Sequence, residues 1–351
     1  MVKFSNRILL DCTLRDGGYV NNWEFGAKTA LQIRDALYDS GIHYIELGIM
    51  GRDSTAGRQT KFASFDEVQP LLEGRRPGCQ YCVMITQAEL SNAWLEIPPR
   101  SKTAVDIIRL AYFKPEKSSA LISAHKLKEK GYEVFLQAMA TFMYTKDELS
   151  TMIKEINCLQ PAAFYIVDSF STMYNEDVQM MAEFSLENLA DNIYLGFHAH
   201  NNIQMAFSNA ITFINMQTDR RLMIDGSIFG MGRGAGNVPL ELLMEYINKK
   251  LQGNYTISAI LSVFESCIKP IFREYYWGYS MPYLLTASKG INSAYAWYFG
   301  RKGIVQLADL EGVLCQIPDE YKYTLVKSAA DNSIANYWKE KWREQGDNGT
   351  A

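Results

Sequence analysis

Short apolar runs rich in β-branched and aromatic residues alternate with longer segments of helical spacing from residue 7 to residue 230. Eight such runs stand out, at 8–12, 44–48, 81–86, 104–109, 133–138, 163–168, 193–198 and 222–228. They are near-continuously apolar, the pattern of strands covered on both faces rather than of a sheet with one wet side. Between them, apolar residues recur at three- and four-residue intervals over 27–38, 118–130, 145–158, 176–189 and 203–216, and a last such segment, 239–251, follows the eighth run. Eight β/α units in about 250 residues predict an α/β chain closed into a (β/α)8 TIM barrel rather than an open doubly wound sheet.

The rhythm stops near residue 253. The predicted division is a barrel over 1–253 and a C-terminal helical region over 254–351, opening with a helix over 258–272. That second region is dense in aromatics, from Tyr275, Tyr276 and Trp277 to Tyr295, Trp297, Tyr298 and Phe299. Aromatic clusters supply buried area where helices meet, so packing on the barrel or across a homo-oligomer interface is expected, with a lid over the barrel mouth as the sharper alternative.

Composition narrows the function classes. Of 351 residues, 48% are apolar and 21% charged, with a formal net charge of -4, which fits an enzyme-sized globular chain and offers no long-range attraction to nucleic acid. The start of the chain, Met1 to Asn6, has no charged-then-apolar leader, and no stretch nears the roughly 20 apolar residues of a membrane span, so a cytoplasmic setting is expected. Six dispersed cysteines are no disulfide framework. The one metal-like spacing, Cys79 and Cys82, lacks a second pair and reads as two unrelated thiols.

In a barrel the chemistry sits where strands end. Polar residues expected on that rim are Thr13, Arg15 and Asp16 after the first strand, Glu46 in the second, Asp168 and Ser169 after the sixth, and Asp225 with Asn237 around the eighth. Two of the four histidines, His198 and His200, close the seventh run one residue apart. On a strand they share a face about 7 Å apart. An isolated pair of this kind is as often two hydrogen-bonded core histidines as a metal site, and the acidic rim tips the balance to a metal. His43, at the opposite end of its strand, and His125, beside a solvated charge run, are assigned no role.

Three motifs together, Leu10-Asp11-Cys12-Thr13-Leu14-Arg15-Asp16-Gly17-Gly18, Gly196-Phe197-His198-Ala199-His200-Asn201 and Gly230-Met231-Gly232-Arg233-Gly234-Ala235-Gly236-Asn237, resemble the HMG-CoA lyase-like barrel enzymes, or DRE-TIM metallolyases. Within that group the resemblance is nearest to 4-hydroxy-2-oxovalerate aldolases, and it covers about residues 7–250. It implies a carbon–carbon lyase or aldolase, or the reverse condensation, acting on a 2-oxo acid such as pyruvate through a metal-stabilised enolate. Asp16, His198 and His200 match the ligands of one divalent cation, and Asn237 matches a further ligand of the lyase branch. Arg15 matches the arginine beside the substrate oxygen, and Glu46 the glutamate that orients it. Mn²⁺ or Mg²⁺ suits such a donor set, with Co²⁺ or Zn²⁺ possible because imidazole also favours them. The glycine-rich loop reads as a turn that aims Asn237 inward, with a phosphate cradle as the competing idea. In the aldolase branch a partner dehydrogenase takes up a product, a point on which this sequence is silent.

The chain also departs from that pattern. Tyr19 stands where the aldolases carry a general-base histidine, Asn292 stands where they carry a tyrosine, and Ile228 and Val167 replace the lyase cysteine and the carboxyltransferase lysine. The expectation is a retained metal and enolate machinery with a changed acid/base partner, Tyr19, and hence an unusual substrate. Two other readings stay open at this point: a barrel metal hydrolase, against which the histidine pair on the seventh strand counts, and a non-catalytic metal-binding relative.

Overall fold

A computed structural model of the protein describes residues 4–52, 59–91 and 95–347. Eight parallel strands, β1 (Arg7–Asp11), β2 (Tyr44–Met50), β3 (Gln80–Thr86), β4 (Ile107–Tyr112), β5 (Glu133–Ala138), β6 (Ala163–Asp168), β7 (Tyr194–Ala199) and β8 (Leu222–Gly226), each pair with the next. β1 pairs with both β2 and β8, so the sheet closes into a barrel with helices outside, as the periodicity predicts. A two-residue strand, Lys61–Phe62, lies against the end of β2.

Side chains alternate between two apolar sets along each strand. Leu10, Cys82, Ile107, Phe135, Tyr165 and Met223 pack together as the barrel's interior. Leu9, Ile45, Val83, Ile108, Phe164 and Ile224 belong to the larger core under the helices. The helix Lys146–Leu159 shows how one such helix is specified. Thr145 Oγ1 accepts from the Glu148 amide at 3.3 Å and Glu148 returns to the Thr145 amide at 2.8 Å, a reciprocal cap that starts the helix. Leu149, Met152, Ile153 and Ile156 fall on its buried stripe, each worth roughly 1.5–3 kcal/mol. Gln160, in the left-handed conformation, ends it.

Among the strand boundaries that differ from the sequence expectation, two bear on the site. β4 runs Ile107–Tyr112 instead of 104–109, because Asp106 is spent before the strand begins: its carboxylate accepts from the Tyr81 amide and Arg75, both at 2.9 Å, and from Arg100. β8 stops at Gly226, and Ile228 enters a short turn whose amide donates to Thr13 Oγ1 at 2.8 Å. The shift in β4 matters most, since it moves Arg109 from the expected strand end to mid-strand.

Beyond residue 253 the packing has two parts. Helix Ile257–Val263, a π turn at Phe264–Ile268 and helix Lys269–Glu274 lie on the barrel, with Ile260, Val263, Ile268 and Trp277 joined to its outer core. Four later helices, Met281–Ser288, Ala294–Arg301, Leu307–Cys315 and Lys327–Asp347, have a core of their own around Ile291, Tyr295, Phe299, Val313 and Leu314. Among the described residues no helix is long and apolar enough to cross a membrane.

Backbone strain marks one end of the barrel. Of eight described non-glycine residues with positive φ, six (Asn22, Trp23, Ala140, Ser171, Gln204 and Phe229) lie in loops that follow strands β1, β5, β6, β7 and β8. Left-handed conformations of this kind cost about 1–3 kcal/mol each and gather where a site constrains the chain.

Candidate metal centre

The end of β1 turns at once into a four-residue helix, Thr13–Asp16, which swings Arg15 and Asp16 over the barrel mouth. Asp11 fixes that turn: its carboxylate accepts from the Thr13 amide at 2.9 Å and the Thr13 hydroxyl at 2.7 Å. On the far side, β7 carries His198 inward and His200 just past its end. One donor atom from each of Asp16, His198 and His200 lies within 4.8 Å of the others, and all three residues are buried. His198 Nε2 is 3.5 Å and His200 Nε2 3.8 Å from Asp16 Oδ2. Such separations leave room for a cation with bonds of about 2.1 Å.

Unpaired atoms point the same way. Both Asp16 oxygens, His200 Nδ1 and Asn237 Oδ1 are buried without a hydrogen-bond partner among the described residues. Buried polar atoms in native proteins are nearly always satisfied, and an ion is one of the few explanations when several orphans meet. Asn237 pairs with His200 through a backbone bridge, and its Nδ2 is engaged by Met231 O at 3.2 Å and Cys12 Sγ at 3.8 Å, which leaves Oδ1 as the free atom. Glycines make that approach possible: a Cβ on Gly232 would stand 2.4 Å from Asn237 Nδ2, and one on Gly236, at φ 91°, 2.1 Å from Gly230 O.

A ring of charge encloses the cluster. Asp16 meets Arg15 at 3.3 Å, Arg15 Nε donates to Glu46 Oε2 at 2.8 Å, and the same oxygen accepts from Arg109 at 2.8 Å. Arg109 then bonds Asp225, which holds His198 Nδ1 at 2.9 Å and so returns to the cluster. Three carboxylates face two guanidiniums, an excess of one negative charge with the histidines neutral, which favours a bound cation. Arg109 rests its guanidinium 4.9 Å over the Tyr165 ring. Tyr165 in turn lies flat on Gly196, where a Cβ would meet ring atoms at 2.5 Å.

The protonation states of Asp16 and His200 fit a ligand set. Burial works to protonate Asp16, yet Arg15 and the two histidines hold its carboxyl well below the usual range. Burial pushes His200 down to about 3 against the pull of Asp16, and the charge of Arg233 adds to burial, so its lone pairs are available at neutral pH. His198 is raised, because Asp16 and Asp225 outweigh burial. Its Nδ1 is committed to Asp225, which leaves Nε2 toward Asp16; carboxylate–histidine pairs of this form orient metal ligands.

The other expected residues divide. Glu46 reaches Arg15 and positions it. Tyr19 stands at the mouth, 41% exposed, its ring 4.7 Å from that of Trp23 and 5.4 Å from the Arg233 guanidinium. Asp168 is turned away from the cluster to accept from the Thr172 and Met173 amides at 2.8 and 3.2 Å. Asn292 is spent inside the C-terminal region, donating to Tyr323 O at 2.8 Å and accepting from the Ala294 amide at 3.0 Å. Cys79 and Cys82 fall in different apolar layers, one under the helices and one in the barrel. Arg109 carried no sequence signal beyond being a charge in an apolar run, and that oddity is the clue that could have found it. Trp23 was also missed; its indole donates to Arg15 O at 2.9 Å and covers the first rim turn.

Comparison with known proteins agrees with this geometry. The HMGL-like family profile matches residues 6–266. An oxaloacetate decarboxylase of Mycobacterium tuberculosis is 27% identical over 248 residues, 69% of this chain and 70% of the relative. A 4-hydroxy-2-oxovalerate aldolase of Thermus thermophilus is 25% identical over 267 residues, 76% of each. Among solved structures, the N-terminal domain of a provisionally named aldolase from Bacteroides vulgatus superposes with a TM-score of 0.70 at 27% identity, covering 84% of this chain and 96% of that one.

Proposed function

The chain belongs to the HMGL-like family, and from that membership together with the rim geometry we propose that it is a divalent-metal-dependent carbon–carbon lyase or aldolase acting on a 2-oxo acid. The observation that carries the reading is the meeting of Asp16, His198 and His200 beside a buried, carboxylate-held Arg15. A divalent cation held by these residues, with Asn237 Oδ1 as a fourth donor, would supply Lewis-acid polarisation of the substrate's carboxylate and keto oxygens.

The chain's own residues do the rest. In a retro-aldol cleavage the hydroxyl on C4 loses its proton, the C3–C4 bond breaks, and its electron pair moves through C3 to the keto oxygen as an enolate. Arg15 is aimed at the place where that charge grows. Glu46 fixes its Nε, and Glu46 and Asp16 keep it protonated despite burial. A donor preorganised in a site of low polarity is worth far more than in water. Ile49, Met84 and Ala111, with Trp23 and Met139 packed on them, make an apolar wall at the mouth that excludes water from the reacting carbons. We assign the hydroxyl proton to a relay through Tyr19, whose phenol oxygen accepts it while passing its own proton to solvent at the exposed mouth, and the proton that returns to C3 completes the 2-oxo acid product. The finer reading takes pyruvate as that product, Mn²⁺ or Mg²⁺ as the metal and the cytoplasm as the setting.

The test is pyruvate release from a panel of 4-hydroxy-2-oxo acids by protein stripped with a chelator and then given Mn²⁺. Activity should appear only on adding metal, and Arg15→Ala should lower kcat by about 10²–10³. Rates in Arg15→Ala equal to wild type, or turnover indifferent to chelators, would overturn the reading.

A further inference from the structure

Every cation in the ring around the cluster is committed: Arg15 to Glu46 and Asp16, Arg109 to Glu46 and Asp225. Arg233 is different. Its side chain makes no hydrogen bond or ion pair with any described residue, and its Nε is buried without a partner. Its guanidinium carbon stands 5.4 Å from the centre of the Tyr19 ring. The loop that carries it is stiff, since the Ala235 amide donates to Asn202 Oδ1 at 2.9 Å, the Gly236 amide to Arg233 O at 3.1 Å, and the Asn237 amide to Gly230 O at 2.9 Å.

Its position joins two spaces. Arg233 lines a cavity of about 350 Å³ between the barrel rim and the C-terminal helices, whose wall includes Tyr19, Tyr276, Ser293 and Trp297. On its other side the same loop touches the ligand cluster, since a Cβ on the preceding Gly232 would stand 2.4 Å from Asn237 Nδ2. A 2-oxo acid seated at the cluster through its own carboxylate leaves the far end of its chain to extend toward the mouth. A guanidinium held there without a counter-ion, backed by a ring, presents a fork of donors suited to a carboxylate.

Resting on the lyase reading above, we propose that the substrate is a dicarboxylic 2-oxo acid whose distal carboxylate is received by Arg233, which sets specificity. Arg233 keeps water on its outer guanidinium nitrogens, which are not buried, while its buried Nε is left without a partner among the described residues. An apolar chain end placed against it would take away its water and return no hydrogen bond, so the same residue both attracts a carboxylate and disfavours a methyl group.

The test compares 2-oxoglutarate with 2-oxopentanoate, which have the same carbon skeleton length and differ in the terminal carboxylate. Binding to the Mn²⁺-loaded full chain is measured by calorimetry. Wild type should prefer 2-oxoglutarate by thirtyfold or more; Arg233→Lys should keep part of that preference, and Arg233→Gln should reduce it below threefold. A wild-type preference below threefold overturns the proposal, and so does a preference that survives in Arg233→Gln. The wild-type comparison stands even if a variant fails to fold. Turnover of 4-hydroxy-2-oxoglutarate against 4-hydroxy-2-oxopentanoate separates the two readings. Selective binding with no cleavage of either acid rejects the lyase reading and keeps the assignment of Arg233, whereas cleavage of both at similar kcat/KM rejects the assignment and keeps the lyase.

Discussion

Replacing Arg109 with methionine keeps an unbranched side chain and removes a charge that stands wholly inside the barrel. Its guanidinium is 2.8 Å from Glu46 Oε2 and is hydrogen-bonded to Asp225 Oδ2. At 2.8 Å and an effective dielectric of about 20, such a pair attracts by about 6 kcal/mol, against several kcal/mol spent on desolvating each ion. The intact pairs therefore contribute little net stability. The cost of Arg109→Met lies in two carboxylates left without it. Neither becomes bare, because Arg15 stays on Glu46 and His198 on Asp225. Breaking a buried pair costs about 3–5 kcal/mol, and the remaining partners place this variant near the lower end, at about 3 kcal/mol. Urea unfolding at pH 7, followed by circular dichroism on metal-free protein, measures the loss. A second readout tests the cause. Burial would raise the Asp225 carboxyl, but Arg109 and then His198 bring it below its ordinary value. A group depressed in this way adds stability above its unfolded pKa, near 3.9, and loses it as pH falls through the folded value. The variant lacks most of that contribution, so its gap to wild type should hold from pH 7 down to about 4 and narrow as pH falls further. A loss under about 1 kcal/mol at pH 7, or a gap that does not change with pH, refutes the charge ring as described.

Asp225→Asn removes the carboxylate that holds His198 Nδ1, and Mn²⁺ affinity measured against a chromophoric chelator should fall about 10–100-fold, with wild-type affinity refuting the orienting role. Asp168 is pushed up to about 7 by burial, even though backbone amides oppose the shift, so the folded state holds its proton more tightly than the unfolded one. Stability is then lost as pH rises from about 4 to 7, by up to about 4 kcal/mol for a shift of this size, and Asp168→Asn should melt progressively higher than wild type between pH 5 and pH 8. A difference in Tm that stays level across that interval would count against the assignment. Gly196→Ala drives a methyl into the Tyr165 ring that supports Arg109, and a loss of about 1–3 kcal/mol in urea, with weakened Mn²⁺ binding, is expected; an unchanged melt would show that the ring can move aside.

Much of the protein was legible in its residues taken alone. Periodicity is a local property, and eight apolar runs separated by helical spacing leave few ways to bury both faces of every strand, so the closed barrel and the rim on which chemistry belongs could be read directly. His198 and His200 could be picked out because the chain has only four histidines, and Asp16 because it follows the first strand in a motif that resembles a known family's. What only the tertiary structure decided is how charge is shared among them. Arg109 and Asp225 lie on β4 and β8, 116 residues apart, and nothing local in either strand says that one carboxylate oxygen will answer both a guanidinium and an imidazole. Asp168 was expected on the same rim as Asp16, and it was spent on nearby backbone amides, because a buried polar atom takes the first partner that the chain's path brings within about 3 Å. Arg233 was one residue of a glycine-rich motif until the fold placed it beside Tyr19 and left it without a partner among the described residues. Residue type determines which chemistry is available, while distances set by long-range packing determine which groups remain free to perform it.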